Sequence, residues 1–319
     1  MTNKIVPASV AGGSGFIIPA VILVYGPAGG GKTVDLGLSF PNQLCIASRG
    51  ALQSVYHMAG FLPDHIEVET IEEATAAIQR YGKSGKYDAI GVDDFSLMAQ
   101  KTFSLLEKKY RGYKVWGALR DVTLAFRNAA RVAGCHIILN CWMNDPKTKN
   151  DGTFIRGGPM LSGKLPEELP ALCDLVLKCD HESEQKPWTG VYRCEHSTRF
   201  VMKDRFNLCY DLSPIPMNLG EILRAAGYEV SRHPQMPWQE DVVERFALLL
   251  DQANGSYIAT SNKLFGQLVT AGIDPKAAKW TMRDAMDRCV IRRSIASRNS
   301  QFITTGNFFN SQTTTRILQ

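Results

Sequence analysis

The sequence predicts an α/β protein with a mostly parallel sheet, followed by a small C-terminal domain of winged-helix order. Three observations carry this reading. From Phe16 to about Cys179, short apolar runs alternate with longer amphipathic ones. Continuous apolar strands separated by helices are what a parallel sheet covered on both faces requires. A glycine-rich stretch joins the first of these strands to the first helix. Beyond Trp238 the pattern becomes three helices and then two short strand-like runs around a turn.

In chain order, residues 1–15 are small and polar, end in AGGSG, and read as a flexible lead-in. Phe16–Tyr25 is apolar and follows Lys4, the arrangement of a signal peptide. It is too short to span a bilayer, has no small-residue cleavage site and runs directly into the glycine-rich stretch, so it reads as a buried strand. Val21–Tyr25, Gln43–Ala47, His65–Glu69, Ala89–Val92 and His136–Trp142 are the expected core strands. Leu119, Val122, Phe126, Ala129 and Ala133 share one helical face, with Gly134 as the stop. Within 175–212, the runs LVLKCD, GVYRCEHSTRFVM and FNLCYDL suggest antiparallel strands. Four prolines in Ser213–Pro237 mark a linker with one short helix near Leu219–Ala226. Asp241–Ala253, Ser261–Ala271 and Pro275–Arg288 are the three later helices. Val290–Ala296 and Gln301–Thr305, flanking Ser297–Ser300, are the expected wing. The expected division is thus lead-in 1–15, core 16–212, linker 213–237 and winged helix 238–319.

Composition narrows the function. Of 319 residues, 45% are hydrophobic and 21% charged, which excludes a disordered or collagen-like chain. The eight cysteines form no C-x-x-C pair and read as reduced thiols of a cytoplasmic protein. Net charge is a mild +5. It concentrates in residues 256–319, where nine basic residues face three acidic ones, as expected of a segment touching nucleic acid.

The run Gly26-Pro27-Ala28-Gly29-Gly30-Gly31-Lys32-Thr33 matches G-x-x-x-x-G-K-[ST] in full, after a strand and before a helix. Glycines let backbone N–H groups turn onto phosphate oxygens, and the helix N-terminus adds its dipole. Lys32 places a point charge on the β/γ-phosphates and the Thr33 hydroxyl ligates Mg²⁺. The cofactors expected are therefore ATP and Mg²⁺. The strand in YDAIGVDD ends in two acids: Asp93 is the expected metal partner, and Asp94 either orients an attacking water or caps the following helix.

These motifs, with the strand CHIILNCW, the run GPMLSGKLPEELPALCDLVLKC and Lys203-Asp204-Arg205, make residues 18–222 resemble the phage-encoded RecA-like P-loop ATPases. These are AAA-type ATP-binding proteins, some of which act as single-strand DNA-binding or annealing recombination factors. The resemblance implies a RecA-like fold, ATP–Mg²⁺ bound between the subunits of a homo-oligomeric ring or filament, and a role in DNA recombination or replication. It implies that Lys203 and Arg205 reach the γ-phosphate of a neighbouring subunit; the alternative is a solvated basic strand edge. Two positions depart from the family. Ala47-Ser48-Arg49-Gly50 stands where a glutamate is common, and Trp142 where a His or Gln phosphate sensor is common; Asn140 becomes the candidate sensor. Both departures weigh against fast hydrolysis more than against nucleotide binding.

The resemblance also places 108–114, which alternates charge with aromatics, and 144–164, which carries Lys147, Lys149, Phe154, Arg156 and Lys164, along a DNA channel. On the expected third helix, Lys276, Lys279 and Arg283 share one face toward duplex DNA, with Arg292, Arg293 and Arg298 beside the wing. The function expected is an ATP-dependent protein that engages single-stranded DNA. The rivals are a hexameric helicase or helicase loader, a nucleotide-switched DNA-binding adaptor, and a small-molecule P-loop kinase. Cys179, His181, Cys194 and His196 form a weaker zinc candidate, with ordinary strand residues as the default.

Overall fold

The computed structural model describes residues 18–296, apart from 60, 184–185, 209–212, 231–239, 254–256, 271–274, 276–277, 279–280 and 294. The expected lead-in and the second wing strand lie outside the described residues.

Six parallel strands form the centre of the sheet: β1 (Val21–Tyr25), β2 (Gln43–Ala47), β3 (Asp64–Glu67), β4 (Ala89–Val92), β5 (His136–Cys141) and β10 (Leu175–Ser183). They run in the order β10-β1-β5-β4-β2-β3. All residues of β1, β2, β4 and β5 are buried, which explains their largely apolar character.

Alternation along β1 divides the core in two. Val21, Leu23 and Tyr25 face one layer, in which α3 (Ile71–Tyr81), α4 (Phe95–Lys109) and α5 (Lys114–Val132) place Ile71, Ile78, Phe95 and Phe126. Ile22 and Val24 face the other, closed by Leu36 of α1 (Lys32–Ser39) and by Phe40. The short α2 (Gln53–Ala59) follows β2. Helix α3 starts with a capping box, in which Thr70 accepts from the Glu73 N–H and Glu73 accepts from the Thr70 N–H. Helix α5 buries the expected Leu119, Phe126 and Ala129 and stops one residue before Ala133.

After β5 come two short antiparallel ribbons. One pairs β6 (Met143–Asn144) with β9 (Gly158–Pro159), the other β7 (Lys147–Thr148) with β8 (Phe154–Ile155). Helix α6 (Leu165–Leu172) then leads into β10. The antiparallel edge is β11 (Lys186–Arg193), with β12 (Lys203–Asp204) also paired to β10. Thus GVYRCEHSTRFVM is a strand only to Arg193, and Phe206–Leu208 of FNLCYDL forms bends instead of a strand.

The segment expected to be a linker belongs, as far as Val230, to the body of the protein. β13 (Ile215–Pro216) extends the sheet at β11, and α7 (Leu219–Ala225) buries Leu219, Ile222 and Leu223 in the second layer. The prolines misled because an edge strand tolerates them; the apolar residues between them complete a layer that α1 alone leaves open. Residues 231–237 lie outside the description.

Helices α8 (Glu240–Asp251) and α9 (Tyr257–Thr270) fall where expected. The wing does not. Residues 281–293 are helical, as are 295 and 296, where a strand was expected over Val290–Ala296. The reason is packing at helical spacing: Met282, Ala285 and Cys289 join the α8–α9 core, while Ile291 and Ile295 reach the sheet's second layer. No described helix is long and apolar enough to cross a membrane.

Candidate nucleotide-binding site

The glycine-rich loop leaves the carboxyl end of β1 and ends at the N-terminus of α1. Gly29 (φ 77°) and Gly31 (φ 86°) are left-handed, a conformation costly for any residue with a Cβ. Gly26 and Gly30 are required for a different reason. A Cβ at Gly26 would lie 2.7 Å from the Cys179 Cβ, and one at Gly30 would lie 2.8 Å from its Sγ. The loop therefore rests directly on β10. Cys179 also donates from Sγ to the Gly30 carbonyl at 2.8 Å.

The sequence offers Cys179 as an ordinary strand residue or, more weakly, as a zinc ligand. Its thiol faces the loop, whereas Cys194 Sγ lies against the Val176 and Lys203 carbonyls at 3.7 and 3.4 Å. Burial pushes both thiols up to about 12, away from the thiolate a metal needs. Among the described residues no three His, Cys, Asp or Glu side chains are grouped to hold a metal, so the zinc expectation is corrected.

Lys32 Nζ donates to the Gly26 and Pro27 carbonyls at 3.0 and 2.7 Å, which holds the ammonium inside the loop. Burial lowers its pKa, while nearby Cys179, Asp93 and Asp94 act the other way. Thr33 Oγ1 donates to Asp93, 3.1 Å from each carboxylate oxygen. Asn140 Nδ2 donates to Asp93 Oδ1 at 2.9 Å. Burial raises the Asp93 pKa, against the bonds from Asn140 and Thr33 and the Lys32 charge. The Asn140 Oδ1 is buried without a hydrogen-bond partner. A hydroxyl, a carboxylate and an orphaned amide oxygen at one point fit Mg²⁺. That cation takes oxygen donors, often one carboxylate plus phosphates and water in place of an all-protein cage.

Asp94 sits at the N-cap of α4 with φ 58° and ψ 41°. Its side chain makes no capping bond; its carbonyl accepts from the Leu97 and Met98 N–H groups. The carboxylate is half-buried. Burial raises its pKa, opposed by a side-chain hydrogen bond from Trp142 and by the Lys32 charge. The residue at the sensor position thus bears on Asp94. Ser48 and Gly50, in place of the family glutamate, line a cavity of about 320 Å³ with Tyr56, His65 and Glu67.

Lys203 and Arg205 are not brought to this loop. β12 pairs Lys203 with Val176 and Asp204 with Leu175, at the amino end of β10, whereas the loop leaves the carboxyl end of the neighbouring β1. Lys203 Nζ donates to the Ala171 carbonyl at 2.7 Å, and Arg205 pairs with Asp174 at 3.0 Å. Arg131 shares that carboxylate at 2.6 Å.

Of the two segments expected to face DNA, 144–164 packs at Gly163 against Trp116, two residues beyond 108–114. A Cβ at Gly163 would lie 2.9 Å from the Trp116 ring, and the Phe103 ring lies tilted against it with centroids 4.7 Å apart. Tyr113, 94% exposed, and Phe154, Lys147 and Lys149, also exposed, project from them. Arg156 instead ties its ribbon to the carbonyls of Ser197 and Phe200.

Four described arginines of the basic tail pair with acids of the fold. Arg283 pairs with Asp35 and Asp287, Arg288 with Glu221 and Glu244, Arg292 with Glu244, and Arg293 with Asp251. The expected DNA-facing role of Arg283 is corrected accordingly: its side chain is turned into the protein. Lys276, Lys279 and Arg298 lie outside the described residues.

No curated protein matches the chain. Among solved structures, the crystal structure of the RadB recombinase matches with 15% identity, covering 55% of this chain and 79% of that one, at a TM-score of 0.35. The AAA domain model AAA_24 matches residues 18–206, a span that runs from the first strand through the loop, the two acids and the sensor strand to Arg205. With more than half its length so matched, the chain belongs to this family of AAA domains.

Proposed function

We propose that the protein is a RecA-like P-loop ATPase that binds ATP–Mg²⁺ and couples it to single-stranded DNA in phage-type recombination or replication. The convergence of Thr33, Asp93 and Asn140 beside the Lys32 ammonium carries this reading. Lys32 would exchange its two loop carbonyls for phosphate oxygens. Bound Mg²⁺ would neutralise charge on the β/γ-phosphates, held by Thr33 and Asp93. Asp94 would orient the attacking water and Asn140 would report phosphate occupancy through Asp93. The exposed cations and aromatics of 108–114 and of the ribbons would track DNA phosphates and stack on bases. Lys203 and Arg205, remote from their own loop, would serve a neighbouring subunit of a ring or filament.

Steady-state ATP hydrolysis, with and without single-stranded DNA, tests this. DNA-stimulated turnover is the expected result; absence of ATP binding would remove the reading. A second reading, a nucleotide-switched adaptor that barely hydrolyses, draws on Ser48 in place of a glutamate and on Trp142 against Asp94. ATP binding with a flat, near-zero rate would favour it.

A further inference from the structure

Asp35 stands in the first turn of α1, two residues beyond Thr33, and is 3% exposed. Four donors from four different elements converge on it. Ser39 Oγ lies at 3.0 Å, the Tyr192 hydroxyl of β11 at 2.6 Å, the Leu219 N–H of α7 at 3.4 Å and Arg283 Nη2 of the 281–293 helix at 2.5 Å. Arg283 also donates to the Met217 carbonyl, next to Asn218, whose Nδ2 reaches Asp284 at 2.9 Å and Asp287 at 3.1 Å. Gly220 has α7 so close to α1 that a Cβ there would lie 2.5 Å from the Ser39 carbonyl.

The charge arithmetic of this cluster bears on the phosphate site. A helix N-terminus attracts an anion through its orphan N–H groups and partial positive charge. A carboxylate buried in that helix's first turn works against it, in a low-dielectric setting where screening is weak. Of the donors to Asp35, only Arg283 carries a charge. It comes from a helix 248 residues further along the chain.

We propose that Arg283 is a positioning residue of the nucleotide site: by neutralising Asp35 it restores the anion-binding power of the α1 N-terminus, so that tight nucleotide binding requires the docked 281–293 helix. This rests on the nucleotide-site reading above. It also makes that helix a place where a partner could set nucleotide affinity, since anything that withdraws Arg283 exposes the Asp35 charge to the phosphates.

The test is titration of the full chain with a fluorescent ATP analogue and Mg²⁺, alongside thermal unfolding. Arg283→Met is expected to weaken binding about 10-fold or more, within the range of measured couplings between sites. Asp35→Asn in the Arg283→Met background is expected to recover affinity to within about threefold of wild type, because it removes the uncompensated charge. Arg283→Lys, which keeps the charge, should bind within about threefold of wild type. Arg288→Met removes the helix's ion pairs with Glu221 and Glu244 while Arg283 still holds it to Asp35 of α1; it should lower the melting temperature with affinity unchanged. An Arg283→Met affinity within twofold of wild type overturns the proposal. So does a double variant that binds no better than Arg283→Met, which would assign Arg283 to packing. If Arg283→Met does not fold, the double variant against wild type and Arg283→Lys decides the same question. Loss of the nucleotide-site reading would look different: Lys32→Ala would bind the analogue as well as wild type.

Discussion

At the scale of single residues, the site separates binding from chemistry. Lys32 is held by two loop carbonyls and meets phosphate as a point charge. Lys32→Ala should weaken ATP binding by about 10–100-fold, the loss expected when a charge-assisted bond disappears. Calorimetric titration checks this, and normal affinity in the variant would remove Lys32 from the site. Asp94 makes no capping bond, and its left-handed backbone at the head of α4 keeps it beside Asp93. Asp94→Asn should therefore leave ATP affinity within about twofold and lower kcat by about 10²-fold, the usual worth of a positioned base. A variant with unchanged kcat would return Asp94 to a purely conformational role. Trp142 adds a test of direction: if its hold on Asp94 suppresses turnover, Trp142→His should raise the DNA-stimulated rate, read in the same steady-state assay.

At the scale of elements, the phosphate loop was legible because its pattern is local: glycines, Lys32 and Thr33 lie within eight consecutive residues. Asp93 was legible because an apolar strand ended in acids. What supports the loop was not. Cys179 lies 149 residues from Gly30, and nothing in the run LVLKCD marks its thiol as the surface against which two glycines close. Gly26→Ala should accordingly cost about 1–3 kcal/mol of stability, the range for overpacking. It should weaken ATP binding as well, since the obstruction includes the Cys179 carbonyl at 2.9 Å, which cannot swing aside. Urea unfolding and the binding titration read the two effects, and a variant as stable as wild type would show that β10 yields. The pairing of the tail's arginines was missed for the same reason as Cys179. Nine basic residues read as a DNA surface, yet the acids that neutralise four of the arginines stand on α1, α7, α8 and the same helix. The first expected wing strand is helical because Ile291 and Ile295, strand-like in composition, meet the core at helical spacing.

At the scale of the whole molecule, the second core layer reaches the amino end of the sheet at His136, and acid should act there. His136 is buried at the start of β5, where its Nδ1 accepts from the Ala20 N–H at 3.0 Å and its ring meets Tyr228 edge-on at 4.8 Å. Burial lowers its pKa to about 4 from 6.5. The folded state then binds fewer protons than the unfolded one between these values. The contribution of a neutral His136 is fully present above pH 6.5 and is lost as pH falls towards 4. A shift of this size amounts to about 3 kcal/mol at most. Asp287, which burial pushes up to about 7, titrates in the same range with the opposite sign, so wild type must be compared with a variant that retains it. His136→Gln keeps an acceptor for the Ala20 N–H and removes the titration. Urea unfolding at steps from pH 7 to pH 4 should show wild type losing about 3 kcal/mol more than the variant over that window. Parallel curves for the two proteins would mean that the imidazole becomes protonated without leaving its place, and that acid acts on the fold elsewhere.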